Sequence, residues 1–294
     1  MKNRTNEQST AVSQKAKGVY ANILLDYWFK RTFSSLPSSN RLLLLFLQEL
    51  IPERKIASIK YDSQEYANPN EDKKGIRVDV EVTDEDGTRF LVEMQRTRQD
   101  FFYERALFNA SHCVIRQMDS GKKEYDYPAV YFIGLVDFPI HEDPDRVLYR
   151  YSLYEDTDGE KMTDKINYIF LELPNCGKAL GPDATILDNM CYSLHNMQFL
   201  ESRPEVLRQE IFLLLFESAN ISKFTPEDKV KYDFDMTTER DIHNQILYAR
   251  KEGVKEGKEE TAKEIALKML AKGYPVEEIA DVLNLTAEQI KAMK

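Results

Sequence analysis

Residues 75–95, read Gly-Ile-Arg-Val-Asp-Val-Glu-Val-Thr-Asp-Glu-Asp-Gly-Thr-Arg-Phe-Leu-Val-Glu-Met-Gln, leave this chain fewer choices than any other stretch. Val78, Val80 and Val82 alternate with Arg77, Asp79 and Glu81, the period-two pattern of a half-buried strand. Phe90, Val92 and Met94 alternate in the same way with Arg89, Leu91, Glu93 and Gln95. Between the two runs lies Asp84-Glu85-Asp86-Gly87-Thr88, a turn signal with a glycine for a left-handed position.

Parity decides the register of this hairpin. A three-residue tip, Glu85-Asp86-Gly87, closes on Asp84 and Thr88 and makes the numbers of paired residues add to an even total. Asp79 then stands opposite Glu93 and Arg77 opposite Gln95, while the valines meet Phe90, Val92 and Met94 on the other face. A two-residue tip, Asp86-Gly87, would set valine against charge along the whole hairpin, because a slip of one residue sends every side chain to the opposite face. The three-residue tip is the predicted one.

Two carboxylates directly opposed on one face repel and destabilise a sheet. A hard cation between them reverses the sign, since Mg²⁺ is held by one or two carboxylates together with water and substrate phosphate. The same pattern also describes an acidic pair on a solvated strand face, so both readings stand at this point.

At 294 residues the chain has room for one large domain or two and for a sizeable core. Its 42% hydrophobic and 31% charged residues describe a soluble globular chain. Cys113, Cys176 and Cys191 include no Cys-x-x-Cys pair, which fits a reducing compartment and excludes a disulfide framework or a cysteine zinc site. The longest apolar run, 42–47, is too short to cross a bilayer. Residues 1–17 are polar, lack the apolar stretch of a secretion signal and read as a disordered leader, so the expected location is cytoplasmic. A formal net charge of −10 argues against a protein that coats nucleic acid nonspecifically, but leaves room for a local basic patch that grips DNA.

The spacing predicts a helix over 20–33, with Asp26, Lys30 and Arg31 set among Tyr27, Trp28, Phe29 and Phe33. A second, strongly apolar helix follows over 41–50 and stops at Pro52. Residues 56–61 form a first strand ahead of the hairpin. The next helix, 100–118, has Asp100 as its N-cap and Gly121 beyond its end. It carries a polar stripe of Arg105, Asn109, His112 and Arg116, with Gln117 beside it. The continuous apolar run 127–138 is the signature of a strand buried on both faces, and strands over 146–154 and 165–173 follow it. This order makes an α/β core, a mixed β-sheet flanked by helices, ending near Pro174.

Beyond the core the chain reads as all-helical, over 183–201, 204–219 and 226–233, with Pro182, Pro204 and Pro226 as starts. One long helix spans 238–272, and its internal Gly253 and Gly257, costing about 1 kcal/mol each, imply a close helix approach or local flexibility. Residues 276–283 form another helix, and Thr286 caps a last one. The predicted organisation is a leader over 1–17, a core domain over 18–222 and a helical tail over 223–294. That tail is either an oligomerisation element or a helix-turn-helix-like end.

Three pieces together carry a resemblance: Asp26-Tyr-Trp-Phe29-Lys30; Arg77-Val-Asp79 followed by Val92-Glu93-Met94-Gln95; and Glu104-Arg105-Ala106. They resemble the PD-(D/E)XK nuclease superfamily, specifically its Rpn-like, recombination-promoting and transposase-like branch, over residues 20 to about 220. The charged Glu252-Gly253-Val-Lys-Glu-Gly257-Lys-Glu segment is similar to the tails of that branch. The resemblance implies a restriction-endonuclease-like core, with a mixed sheet of four to five strands and the acidic motif on a central hairpin. It also implies Mg²⁺-dependent hydrolysis of a phosphodiester in double-stranded DNA, with Mn²⁺ able to substitute, in a bacterial cytosol and in a recombination, mobile-element or defence setting. Val78 stands where the named motif has proline, and Gln95 where it has lysine, which removes a positive charge from the site.

On this reading Asp79 and Glu93 are catalytic metal ligands, and the backbone carbonyl of Met94 completes the protein's share. Gln95 orients the attacking water through its amide but cannot stabilise developing negative charge as an ammonium would. Asp26 approaches the metal from the first helix, or is a surface carboxylate pairing with Lys30 four residues on. Lys30, Arg105 and Gln117 are the candidate DNA-binding residues; for Lys30 a solvated side chain and for Arg105 a local ion pair are the alternatives. The protein is expected to act as a homo-oligomer, a dimer. A nuclease fold that has become a binding or assembly module is the competing class, and a DNA-binding regulator built on the last helices is a third. There is no Gly-rich phosphate loop ending in Gly-Lys-Ser/Thr, no His-Glu-x-x-His and no Gly-x-Ser-x-Gly. His112-Cys113 reads as core packing and His141-Glu142-Asp143 as a surface loop.

Overall fold

A computed structural model describes residues 18–62, 78–118 and 125–293. The leader expected over 1–17, the pairing of Arg77 with Gln95 and the role of Gly121 lie outside these residues. Six strands form one mixed sheet, one or two more than the resemblance implies. They are β1 Ile59–Tyr61, β2 Val80–Asp84, β3 Arg89–Gln95, β4 Val130–Val136, β5 Leu148–Tyr151 and β6 Ile166–Glu172, in the order β1-β2-β3-β4-β6-β5. β3, β4 and β6 are parallel, and the other neighbours are antiparallel.

The hairpin has the register that parity predicts. Val80 pairs with Val92, Glu81 with Leu91, Val82 with Phe90 and Thr83 with Arg89. Asp84 N–H donates to Thr88 O at 3.0 Å to close a three-residue tip, where Gly87 takes the left-handed backbone at φ 83°. Asp79 is a bend residue ahead of β2, and Val78 clusters with Leu91 rather than with Val80, so the predicted pairing of Asp79 with Glu93 falls beyond the paired strands.

The hairpin is not half-buried, as its alternation predicts, but covered on both faces. Val80, Val82, Phe90 and Val92 are buried on one side, and Glu81 and Leu91 on the other. The second side is covered by the crossover helix between β3 and β4, with Leu91 and Phe132 clustered against Ala106, Ala110 and Cys113. Those small side chains let the helix lie close to the sheet. Glu81, only 4% exposed, pays no solvation penalty alone: Arg116 Nη2 reaches its two oxygens at 2.8 and 3.0 Å, and Arg89 Nη1 lies at 3.2 Å. Gly134 on β4 is needed on this side, because a Cβ there would sit 2.8 Å from the Phe170 ring.

The single helix predicted over 20–33 is a short α1, Asp26–Lys30, continued by a π-helical turn, Arg31–Ser35. α2 follows as Ser39–Leu50 and is buried along Leu42, Leu43, Phe46, Leu47 and Leu50. The crossover helix, α3, is Phe102–Gln117, and the residue before it is Phe101 in left-handed conformation at φ 60°, with no side-chain cap from Asp100. α4, Ile186–Asn196, starts from a Thr185 capping box rather than at Pro182. α5, Glu210–Ala219, starts at Gln209 rather than at Pro204.

The chain divides into two compact units, the first ending at Phe224 and the second Thr225–Lys294. In the second unit the two helices predicted over 226–233 and 238–272 are one, α6, Pro226–Ala271, with Thr225 as N-cap and Pro226 in its first turn. No described residue of the chain itself lies within 4 Å of where a Cβ on Gly253 or Gly257 would stand. α7, Val276–Leu283, and α8, Ala287–Ala292, pack on the end of α6 around Ala266, Ile279, Ala280 and Ile290. Among the described residues no helix is long and apolar enough to cross a membrane.

Candidate active site

The site lies where β3 ends. Asp79 precedes β2 and crosses the hairpin: its Oδ2 accepts the Met94 backbone N–H at 2.7 Å, and its Oδ1 lies 3.3 Å from Lys30 Nζ. Lys30 in turn donates to Asp26 Oδ1 at 2.6 Å, one helical turn back on α1. Glu93 meets α3, with Oε1 2.8 Å from Arg105 Nη2 and Oε2 accepting from Asn109 Nδ2 at 3.2 Å. Arg105 and Asn109 reach Glu93 together because residues four apart share a helix face.

The Gln95 amide is committed to the protein. Its Nε2 donates to Thr97 O at 2.9 Å, and its Oε1 accepts from Arg105 Nη2. Arg105 Nη1 donates to Gln99 Oε1 at 2.8 Å, so one guanidinium ties Glu93, Gln95 and Gln99 into a single unit. Met94 enters through its N–H, in addition to whatever its carbonyl does.

Burial sets the electrostatics. The side chains of Asp79 and Glu93 are 14% and 12% exposed. Burial pushes the Asp79 carboxyl above its ordinary 3.8; the Met94 N–H and the Lys30 charge pull it back, and the Asp26 charge adds to the rise. Glu93 is raised above 4.5, again by burial first, with Arg105 opposing and the negative charge on Asp79 adding. Burial alone would lower Lys30, but the hydrogen bond to Asp26 and the charges of Asp79 and Asp26 outweigh it and hold the ammonium above its ordinary 10.5.

The structure therefore brings together Asp26, Lys30, Asp79, Glu93, Gln95 and Arg105. Asp26, 73% exposed on its side chain, is one lysine away from Asp79. Gln117 stands apart, about 18 Å beyond Arg105 along α3 at the helical rise, and its amide atoms are buried with no hydrogen-bond partner among the described residues. It is not placed to touch DNA at this site. Among the described residues no group of three His, Cys, Asp or Glu side chains is set to hold a metal ion. The donor set of Asp79 and Glu93 nonetheless suits a hard divalent cation: two acidic side chains, little exposed, each raised above its ordinary pKa by burial.

Three partners went unassigned in the sequence. Asn109 was legible only as part of the α3 polar stripe. Asp137 immediately follows β4, where its N–H donates to Gln95 O at 2.9 Å and its Oδ1 lies 2.5 Å from His195 Nδ1. Its signal was an acid at the carboxyl end of a parallel strand, where α/β proteins bind ligands. His141, read as a loop residue, is drawn into the sheet by buried Glu172 at 2.5 Å and by the Tyr151 hydroxyl at 2.5 Å.

Residues 23–249 match the family model described as PD-(D/E)XK nuclease family transposase. No curated protein and no solved structure matches the chain.

Proposed function

The chain belongs to the PD-(D/E)XK nuclease family, as a transposase-type member, and on that premise we propose that it is a divalent-metal-dependent endonuclease acting on double-stranded DNA. The observation that carries this reading is the arrangement of Asp79 and Glu93, two little-exposed acids brought together at the end of the hairpin by the Asp79 bond to the Met94 N–H, each raised in pKa by burial. Asp79 and Glu93 would hold the cation. When bound, Mg²⁺ or Mn²⁺ supplies Lewis acidity at the phosphoryl oxygen and lowers the pKa of water.

The chain's own residues supply the rest. Met94 N–H fixes one Asp79 oxygen, and the other lies 3.3 Å from Lys30 Nζ. Arg105 and Asn109 fix Glu93, and Gln95 acts as a positioning residue that aims Arg105. Asp26 acts through Lys30. Arg105, held by Glu93, Gln95 and Gln99 and 36% exposed, would offer its guanidinium to DNA phosphate. We place the activity in the cytosol, in recombination, mobile-element movement or defence, by a homodimer. Purified protein should nick plasmid DNA only with Mg²⁺ or Mn²⁺, and a preparation that never nicks with either ion rejects the proposal.

One observation favours the alternative of a nuclease fold turned binding or assembly module. Each acid already holds a protein cation, and the Gln95 amide is committed internally, so the site is self-sufficient in charge. A module of that kind would bind no divalent ion in a calorimetric titration.

A further inference from the structure

Phosphodiester hydrolysis gathers negative charge on the phosphoryl oxygens, and a site with three acids needs a cation that can reach them. Among the described residues, Lys30 and Arg105 are the cations paired with these acids. The Arg105 guanidinium is distributed among Glu93, Gln95 and Gln99. Lys30 is different. An ammonium has three N–H donors, and Lys30 places two, at 2.6 Å on Asp26 and 3.3 Å on Asp79. Its third has no partner among the described residues. Residue 95, as an uncharged amide tied to Thr97, offers no charge at all.

Resting on the nuclease reading, we propose that Lys30 is the ammonium of this site: Asp26 anchors it beside Asp79, from where it contacts the scissile phosphate. Asp26 is its closer partner, so Lys30 keeps an anchor when Asp79 turns to a divalent cation. Until then Lys30 and that cation compete for the same carboxylate. Both consequences follow from one position, and they have opposite signs: removing the lysine helps the metal and harms the reaction.

The experiment is Lys30→Met, which keeps most of the aliphatic stem and removes the charge, beside Lys30→Arg and the wild-type full chain. Thermal melts establish that each variant is folded. Mn²⁺ affinity is read by electron paramagnetic resonance without DNA, and nicking is read on supercoiled plasmid at saturating Mn²⁺. Lys30→Met should bind Mn²⁺ about 3- to 10-fold more tightly, as expected when a competing charge leaves a carboxylate. It should nick at least about 100-fold more slowly, the scale set by losing one charge-stabilising donor. Lys30→Arg should recover part of the nicking. Unchanged or weaker Mn²⁺ binding by Lys30→Met overturns the proposal, and so does nicking within twofold of wild type. If the wild type itself fails to nick, the nuclease reading has failed and the catalytic half falls with it. The Mn²⁺ titration then still decides whether Lys30 competes for Asp79.

Discussion

Asp79 Oδ2 accepts the Met94 N–H at 2.7 Å, so an acid ahead of one arm of the hairpin is tied to the backbone of the other. That bond has a stability consequence separable from chemistry. Asp79→Ala leaves the amide without this acceptor and should cost about 1–2 kcal/mol, the scale of one hydrogen bond lost without replacement. Asp79→Asn keeps an oxygen for it and also removes an acid that burial disfavours, so its loss should be smaller. Urea unfolding of the two variants is the check, and equal losses would show that the bond to Met94 contributes nothing.

Glu93 should give the metal-free protein a recognisable pH signature. Its folded pKa is raised, so the folded state binds more protons than the unfolded chain above the ordinary 4.5. Its favourable contribution is complete below 4.5 and is lost as pH rises through the folded value. Glu93→Gln, which cannot ionise, escapes this loss. The melting temperature of Glu93→Gln minus that of wild type should therefore increase from about pH 4.5 toward neutrality. A difference that is flat or falling would contradict the burial assigned to this side chain.

Arg105 should behave as part of the Glu93 unit. Arg105→Met removes a partner of Glu93 that is 36% exposed, so the cost is expected at about 1 kcal/mol, the upper range for a solvent-screened pair. The sharper test is a double-mutant cycle with Glu93→Gln. The two changes should couple by about 0.5 kcal/mol or more, as residues in direct contact do. Strict additivity would mean that the pair is geometric only.

Glu81 and Arg116 provide the contrasting case, a buried acid serving the fold. Arg116→Met strands a carboxylate 4% exposed, although Arg89 remains at 3.2 Å, and should cost about 3 kcal/mol. Nicking per folded molecule should stay near wild type. A stable but inactive variant would place this ion pair in the site after all.

The homodimer is tested on the second unit. Ile242, Ile246 and Val254 are exposed along α6 at spacings of four and eight residues, an apolar series a partner helix could cover. Light scattering should show a dimer for wild type and a monomer for the Ile242→Asp, Ile246→Asp variant. Dimers in both would exclude this face.

The hairpin register was legible because valine, phenylalanine and acid alternate so strictly that only one tip length keeps them apart. The buried strand β4 announced itself by an unbroken apolar run. The burial of Glu81 was not legible, since it depends on Arg116, which is local to another element and reaches it only after α3 packs. Helix starts at Pro182 and Pro204 were misread because Thr185 and Gln209 begin α4 and α5 further along. In the site, the acids and their partners on α1 and α3 could be named from the sequence. What it could not reveal was the allocation of hydrogen bonds, which commits the Gln95 amide to Thr97 and Arg105 and leaves Lys30 with a donor to spare.

The account turns on Asp79 and Glu93 acting together on a phosphodiester, and plasmid cleavage by wild type, Asp79→Asn and Glu93→Gln measures this most directly. With Mg²⁺ or Mn²⁺ present, the wild type should convert supercoiled plasmid to nicked circles. Each folded variant should be slower by at least about 100-fold, the range for losing a group that stabilises transition-state charge. Nicking by both variants at the wild-type rate would contradict the account.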